Sequence, residues 1–254
     1  MIQDLLSAGV FAYLLVFARV GSALMVLPGF GDAYVAPRLR LIVALAVSLA
    51  VAPIAAPLLP PAPPAPAGLL LLLGGEIAIG IFLGLLARLI MAGLQVAGMI
   101  IAFQTSLANA FTTDPVSAQQ GALAGTFLTV VGLLIVFVTD LHHVMLRAVV
   151  DSYSLFEPGV MPPVGDFSEA VARTVSLSFV LGLKIAAPFV AVGLLFSLGI
   201  GVLARLMPQV QVFFIAMPLQ IALGFVVLGL TLSAAMVVFT DTLSALYGDL
   251  LAGG

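Results

Sequence analysis

The chain has 254 residues, of which 63% are hydrophobic and only 7% charged, with a net charge of −3 and no cysteine. Ordinary soluble domains carry about 25% charged residues, and a soluble fold of this length needs a polar shell that this composition does not supply. The medium around most of the chain is therefore lipid or other apolar protein; disulfides, thiolate metal sites and a cysteine nucleophile are excluded, and no basic patch is left for nucleic acid.

Six apolar stretches set the organisation: Leu5–Leu27, Leu39–Leu59, Leu69–Phe103, Gly121–Thr139, Val175–Leu203 and Gln211–Phe239. Each meets or nearly meets the roughly 20 residues a helix needs to cross hydrocarbon. Backbone groups in lipid must be satisfied within the segment, so the fold class is all-α, a polytopic helical membrane-type protein. A barrel would need alternating segments, and Leu69-Leu-Leu-Leu-Leu73 does not alternate. The first stretch does not read as a cleavable signal, because its leader Met1-Ile-Gln-Asp4 has no basic residue. With six spans, Arg38, Arg40 and Arg205 fall on one side and Arg147 and Arg173 on the other. That balance leaves the orientation open.

The first two stretches are joined by Pro28–Pro37, a tight turn containing Gly29 and Gly31. After the second comes Pro60-Pro-Ala-Pro-Pro-Ala-Pro66, a polyproline II connector that no helix crosses. From Ala67 to Thr113 there is no proline. A helix over Leu69–Phe103 would run about 52 Å against about 30 Å of hydrocarbon. The stretch therefore either hides a turn or projects beyond a bilayer. Gly80 with Gly84, and Gly121 with Gly125, form G-x-x-x-G steps suited to close helix contact. Two segments are polar enough to lie outside lipid: Gln104–Gln120, with one charge, and Asp140–Thr174, which holds five of the eleven acids. No repeat of fixed period is visible.

Arg19, Glu76, Arg88 and Lys184 lie inside apolar stretches, where ionisable groups mark a site or a buried contact. Lys184 is the sole lysine, and Pro188 four residues on removes the hydrogen bond to its carbonyl. An ion path would use such a pair; a polar contact to a neighbouring helix at a proline kink is the preferred reading. His142 and His143 are adjacent and point about 100° apart, unlike an i, i+4 metal pair. Asp140 is in reach of His143, and a solvated or capping role is preferred over metal binding. No Walker A lysine, H-E-x-x-H or G-x-S-x-G elbow is present, so no catalytic, cofactor or metal site is assigned and no enzyme is expected.

Three segments resemble the FliR family of flagellar export proteins, which also includes the T-type export-apparatus proteins of injectisomes. They are Arg19-Val-Gly-Ser…Leu27-Pro-Gly-Phe-Gly…Val35-Ala-Pro-Arg-Leu-Arg40 with Val51-Ala-Pro53; Gly98-Met-Ile-Ile-Ala-Phe-Gln104…Phe111-Thr-Thr-Asp-Pro115 with Leu141-His142 and Asp151-Ser-Tyr153; and Gly201-Val-Leu-Ala-Arg205-Leu-Met-Pro208-Gln209-Val-Gln-Val-Phe213-Phe214 with Pro218. The order and spacing match over nearly the whole chain. Ala204 and the Ala118-Gln-Gln-Gly121 segment depart from the family pattern.

The resemblance implies one integral export-gate domain over residues 1–254, FliP-like in its first two-thirds and FliQ-like in its last third. It implies a bacterial inner-membrane component of the flagellar basal body that forms a pore with FliP-type and FliQ-type proteins. FlhB-type and FlhA-type partners, unfolded export substrates and lipid complete the partner set. In that assembly some helices are broken or raised out of the bilayer, which gives Arg19, Glu76, Arg88 and Lys184 a role in buried charge and assembly. The loop Gln104, Thr105, Ser106, Leu107, Asn109, Phe111, Thr112, Asp114 and Pro115 is the expected pore plug. Arg205, Pro208, Gln209 and Phe213 are the expected subunit-contact motif. An injectisome paralogue, or a small secondary transporter using Lys184 and Glu76, stands as the alternative.

Overall fold

In a computed structural model, residues 2–107, 122–160, 164–207 and 212–252 are described. They form seven α-helices, with no strand among the described residues. These are α1 Ile2–Val26, α2 Pro37–Ala55, α3 Pro66–Gln104, α4 Ala122–Val138, α5 Leu141–Leu155, α6 Val164–Leu206 and α7 Val212–Ala252, with a 3₁₀ turn at Ala56–Leu58 after α2. The all-helical expectation is met: five helices are long and apolar enough to cross a membrane, and α4 with α5 adds one bent candidate span.

Chain punctuation fixes the ends. Helix α1 stops before Pro28, where Gly29 takes a positive φ of 84° and the chain turns. Pro37 opens α2 at a position where its missing N–H costs nothing, and the proline run after Leu59 separates α2 from α3. Helix α3 is unbroken over 39 residues, roughly 58 Å, so the Leu69–Phe103 stretch is a long helix with no hidden turn. Helices α6 and α7 have 43 and 41 residues and continue through Pro188 and Pro218. The segment Asp140–Thr174, read as outside lipid, is not a loop but contains α5 and the first turns of α6. Between α4 and α5, Asp140 adopts a left-handed φ of 60°, a conformation Asp tolerates better than most side chains.

The chain divides into two compact units. The first comprises Met1–Leu89, Phe137–Thr174 and Leu243–Gly254. Its core includes Leu15, Val20, Ile79, Leu83, Leu86 and Met145. Gly80 and Gly84 both face α1: a Cβ on Gly80 would meet Ser22 Oγ and the Arg19 carbonyl, and one on Gly84 would lie 2.7 Å from Val26 Cβ. That first G-x-x-x-G step is thus the seat of the α1–α3 contact. Phe82 stacks on Phe167 at 3.9 Å, with Phe156 edge-on to both rings. The buried Tyr247 hydroxyl donates to the Leu83 carbonyl at 3.0 Å, tying the end of α7 to α3.

The second unit comprises Ile90–Val136 and Val175–Thr242. Here α3 and α4 touch backbone to backbone: a Cβ on Gly98 would fall on the Gly125 backbone, and one on Gly125 would strike Gln95 Oε1. Gln95 Nε2 also donates to Thr129 Oγ1 at 2.7 Å. Gly125 therefore makes a close contact, while Gly121 lies outside the described residues. Leu219, Phe225, Val226, Leu230 and Val237 of α7 are exposed, an apolar face that needs cover from outside the chain.

Candidate functional site

The ionisable residues expected in apolar surroundings do not form one cluster. Arg19 and Glu76 pair directly. Arg19 Nε donates to Glu76 Oε2 at 2.7 Å and Nη2 donates to Oε1 at 3.1 Å, a two-pronged contact between side chains 0% and 2% exposed. Nη1 donates to the Ser152 carbonyl at 3.0 Å and to Ser152 Oγ at 3.3 Å, and Nη2 donates to the Phe156 carbonyl at 3.1 Å. All five guanidinium hydrogens thus have an acceptor, the condition under which a buried arginine is tolerated. Arg19 Cζ lies over the Tyr153 ring, 4.1 Å from its centroid. One side chain of α1 thereby fastens α3, α5 and the start of the loop after α5. The sequence motif Asp151-Ser-Tyr153 contains the Ser152 acceptors and the Tyr153 ring, but nothing in the spacing joins them to Arg19.

Arg88 lies elsewhere in the first unit and is about half exposed. Its Nε donates to the Val26 carbonyl at 2.9 Å and Nη2 to Asp32 Oδ1 at 3.0 Å. Asp32 is the hub of the α1–α2 turn: its Oδ2 accepts from the Gly29 N–H at 2.7 Å and from the Tyr34 hydroxyl at 3.0 Å. Partial burial of the hydroxyl, then the hydrogen bond to Asp32 and its charge, push the Tyr34 phenol up to about 12, so it stays a donor across physiological pH. Arg40 closes the turn by donating to the Val35 and Gly31 carbonyls. The spacing did not single out Asp32.

Lys184 is exposed on α6, within the second unit. Asp140 and His143 meet as their spacing predicts, Nδ1 to Oδ1 at 3.2 Å. His142 joins them in a group whose ligand atoms lie within 4.8 Å of one another. The Asp140 side chain makes no hydrogen bond to the α5 N-terminus.

The root of the expected plug loop is built in the second unit. Helix α3 ends at Gln104; Thr105 is buried and Ser106 takes a φ of 57°. A single side chain of α7 holds this exit: Gln220 Nε2 donates to the Gln104 carbonyl at 2.6 Å, and Ser106 Oγ donates to Gln220 Oε1 at 2.7 Å. Thr105 Oγ1 turns back onto the Ile101 carbonyl at 2.8 Å. Gly193 and Gly224 leave room for the Gln104 and Thr105 side chains, and these residues with Phe189 line a small recess. Leu107 is the last described residue of the segment; Asn109, Phe111, Thr112, Asp114 and Pro115 lie outside the described residues. In the subunit-contact motif, Arg205 is exposed in the last turn of α6. Pro208 and Gln209 lie outside the described residues, as does the side chain of Phe213 in the first turn of α7.

The family described as "Bacterial export proteins, family 1" matches residues 10–246, which takes in all of α2 to α6 and most of α1 and α7. The flagellar biosynthetic protein FliR of Caulobacter vibrioides is 40% identical over 236 residues, covering 91% of this chain and 92% of that protein. The chain belongs to the FliR family of bacterial export proteins. Another FliR-family relative, the flagellar biosynthetic protein FliR of Bacillus subtilis, is 31% identical over 92% of this chain and 90% of its own length. The "Yop proteins translocation protein T" of Yersinia pestis is 29% identical over 63% of this chain and 62% of its own length. Membership of the FliR family agrees with a membrane-embedded helical chain whose polar contacts bind helices together.

Proposed function

We propose that this chain is a structural and gating subunit of the flagellar type III protein export gate in the bacterial inner membrane. With FliP-type and FliQ-type proteins, and in contact with FlhB-type and FlhA-type proteins, it forms the pore that passes unfolded flagellar subunits. The observation that carries this reading is family membership over residues 10–246 combined with helices too long for the bilayer: α3, α6 and α7 run roughly 58 to 64 Å against about 30 Å of hydrocarbon. Apolar helix beyond that thickness needs protein around it, which a multi-subunit assembly supplies. The two-thirds FliP-like and one-third FliQ-like division of the chain belongs to the same proposal. Flagellar relatives cover about nine-tenths of the chain, which favours the flagellar system over the injectisome.

The loop that follows Gln104 is the plug in this reading. Its amides, threonines and single Asp114 suit a narrow lumen better than lipid or open water. The Gln220 clasp holds its root. Shortening Leu107–Thr113 should leave the complex assembled while the membrane becomes leaky to ions and small solutes. A tight membrane with normal export in such cells would refute the plug. The transporter alternative has no supporting observation: Glu76 is fully committed to Arg19, so it is not available as a coupling group.

A further inference from the structure

We infer that Asp140, His142 and His143 form a binding site for a zinc-class divalent transition metal at the start of α5. All three belong to the first unit, and their ligand atoms lie within 4.8 Å of one another. Asp140 Oδ1 and His143 Nδ1 are 3.2 Å apart, long for a charge-assisted hydrogen bond, which runs about 2.7–2.9 Å. The spacing fits two donors on one tetrahedral ion, because bonds of about 2.0–2.1 Å set neighbouring donors about 3.3–3.4 Å apart. Adjacent histidines on a helix diverge by about 100° at the backbone. Here their rings nevertheless come to 4.0 Å, centroid to centroid, with a tilt of 38°. Asp140 stands at a left-handed φ of 60° just before them. Its side chain does not cap α5, so the carboxylate turns to His143 and not to the helix.

The surrounding fold holds one ligand in place. The His142 ring stacks on Phe137 at 4.7 Å, and Phe137 packs on Phe30 of the α1–α2 turn at 5.8 Å. Packing of this kind behind a ligating side chain fixes its orientation. The side chains of Asp140 and His143 are 76% and 69% exposed, so these two can close on the ion. Bringing the widest pair from 4.8 Å to tetrahedral spacing takes no more than about 1.4 Å, the scale of a side-chain torsion change. The donor set selects the metal. Imidazole suits zinc, copper and nickel, whereas calcium and magnesium require shells of oxygen. Two imidazoles and a carboxylate, with water in the remaining position, have the ligand count of an open zinc site. A cation here faces the positive end of the α5 dipole, worth about half a charge, and the Asp140 carboxylate offsets it. The bound ion ties the left-handed residue to the first turn of α5. The inference stands on the first unit alone and does not depend on the pore reading.

The test takes the full chain, co-purified with its partners on a tag without histidine, strips it with a chelator and titrates it with cobalt(II). This ion stands in for zinc and absorbs strongly in the visible when held in a low-coordinate site. The expected band saturates at one ion per copy of this chain, is bleached by zinc and persists in excess magnesium. Asp140→Asn keeps a side chain that tolerates the left-handed conformation. It should weaken binding by more than about tenfold, the loss that even a supporting residue of a metal site produces. Adding His143→Gln should abolish the band while the partners still co-purify. A parent protein with no saturating band would overturn the inference. So would a band that survives in the double variant, since the ion would then sit on other residues or on a partner. X-ray absorption of the zinc-loaded parent supplies a check that needs no variant: two imidazoles are expected in the metal shell, and a shell of oxygen alone would refute the site.

Discussion

Replacing Glu76 with alanine should strongly destabilise the first unit. The carboxylate accepts two of the five guanidinium hydrogens of Arg19, at 2.7 and 3.1 Å, and Arg19 is completely buried. Glu76→Ala leaves that cation facing a cavity with only the Ser152 and Phe156 acceptors and the Tyr153 ring. Removing one partner of a buried pair costs about 3–5 kcal/mol, since the other charge stays buried without compensation. Two hydrogen bonds to a charged group, at about 1.5–3 kcal/mol each, give about 3–6 kcal/mol, a closely overlapping range. Against a whole-domain stability of about 5–15 kcal/mol this is severe, equivalent to a loss of roughly 6–20 °C in melting temperature for a chain of this size. Arg19→Met with Glu76→Met removes both charges and leaves only neutral acceptors unpaired. The double variant should therefore be more stable than the sum of Arg19→Met and Glu76→Met taken singly predicts, by about 1–3 kcal/mol. The assay is thermal unfolding of the detergent-solubilised, partner-bound chain, read by tyrosine fluorescence and by protease resistance. A Glu76→Ala protein melting within about 2 °C of the parent, or strictly additive single variants, would refute the assignment of Arg19–Glu76 as the fastener of the first unit.

Gly98→Val places a branched side chain on the Gly125 backbone and should cost about 1–3 kcal/mol or more. Gly74→Ala, in open space on the same helix, should stabilise by about 0.5–1 kcal/mol, and equal melting temperatures for the two would contradict the α3–α4 contact. Gln220→Leu removes the donor to the Gln104 carbonyl and the acceptor of the Ser106 hydroxyl; assembly should survive while passive leak of small solutes rises several-fold, and unchanged leak would detach the clasp from the plug. Arg205→Lys should weaken co-purification of partners if the planar guanidinium docks on carbonyls or a carboxylate. Wild-type assembly and swimming would reduce Arg205 to a membrane-edge cation.

Much of the fold was legible because lipid imposes one secondary structure and punctuates it with proline and glycine. The proline run before α3, the turn at Gly29 and the Gly80–Gly84 step all did in the structure what their chemistry required. Sequence spacing leaves Leu69–Phe103 ambiguous because its length exceeds a bilayer, and the fold resolves it as a single unbroken helix. The charged residues were visible individually, but their pairing was not. Arg19 meets Glu76 across 57 residues and Ser152 across 133, and no local pattern encodes such a meeting. Asp32 and Gln220 carry no sequence signal of their own, because an aspartate in a turn and a glutamine in an apolar helix are ordinary until the fold supplies their partners.

The account rests on this chain being an incomplete fold that partners complete, and native mass spectrometry of the tagged chain tests that most directly. The chain is co-expressed with FliP-type and FliQ-type proteins and extracted from inner membranes in mild detergent. The predicted result is one particle containing a single copy of this chain with several copies of each partner type. A monodisperse, well-folded monomer carrying neither partner would contradict it.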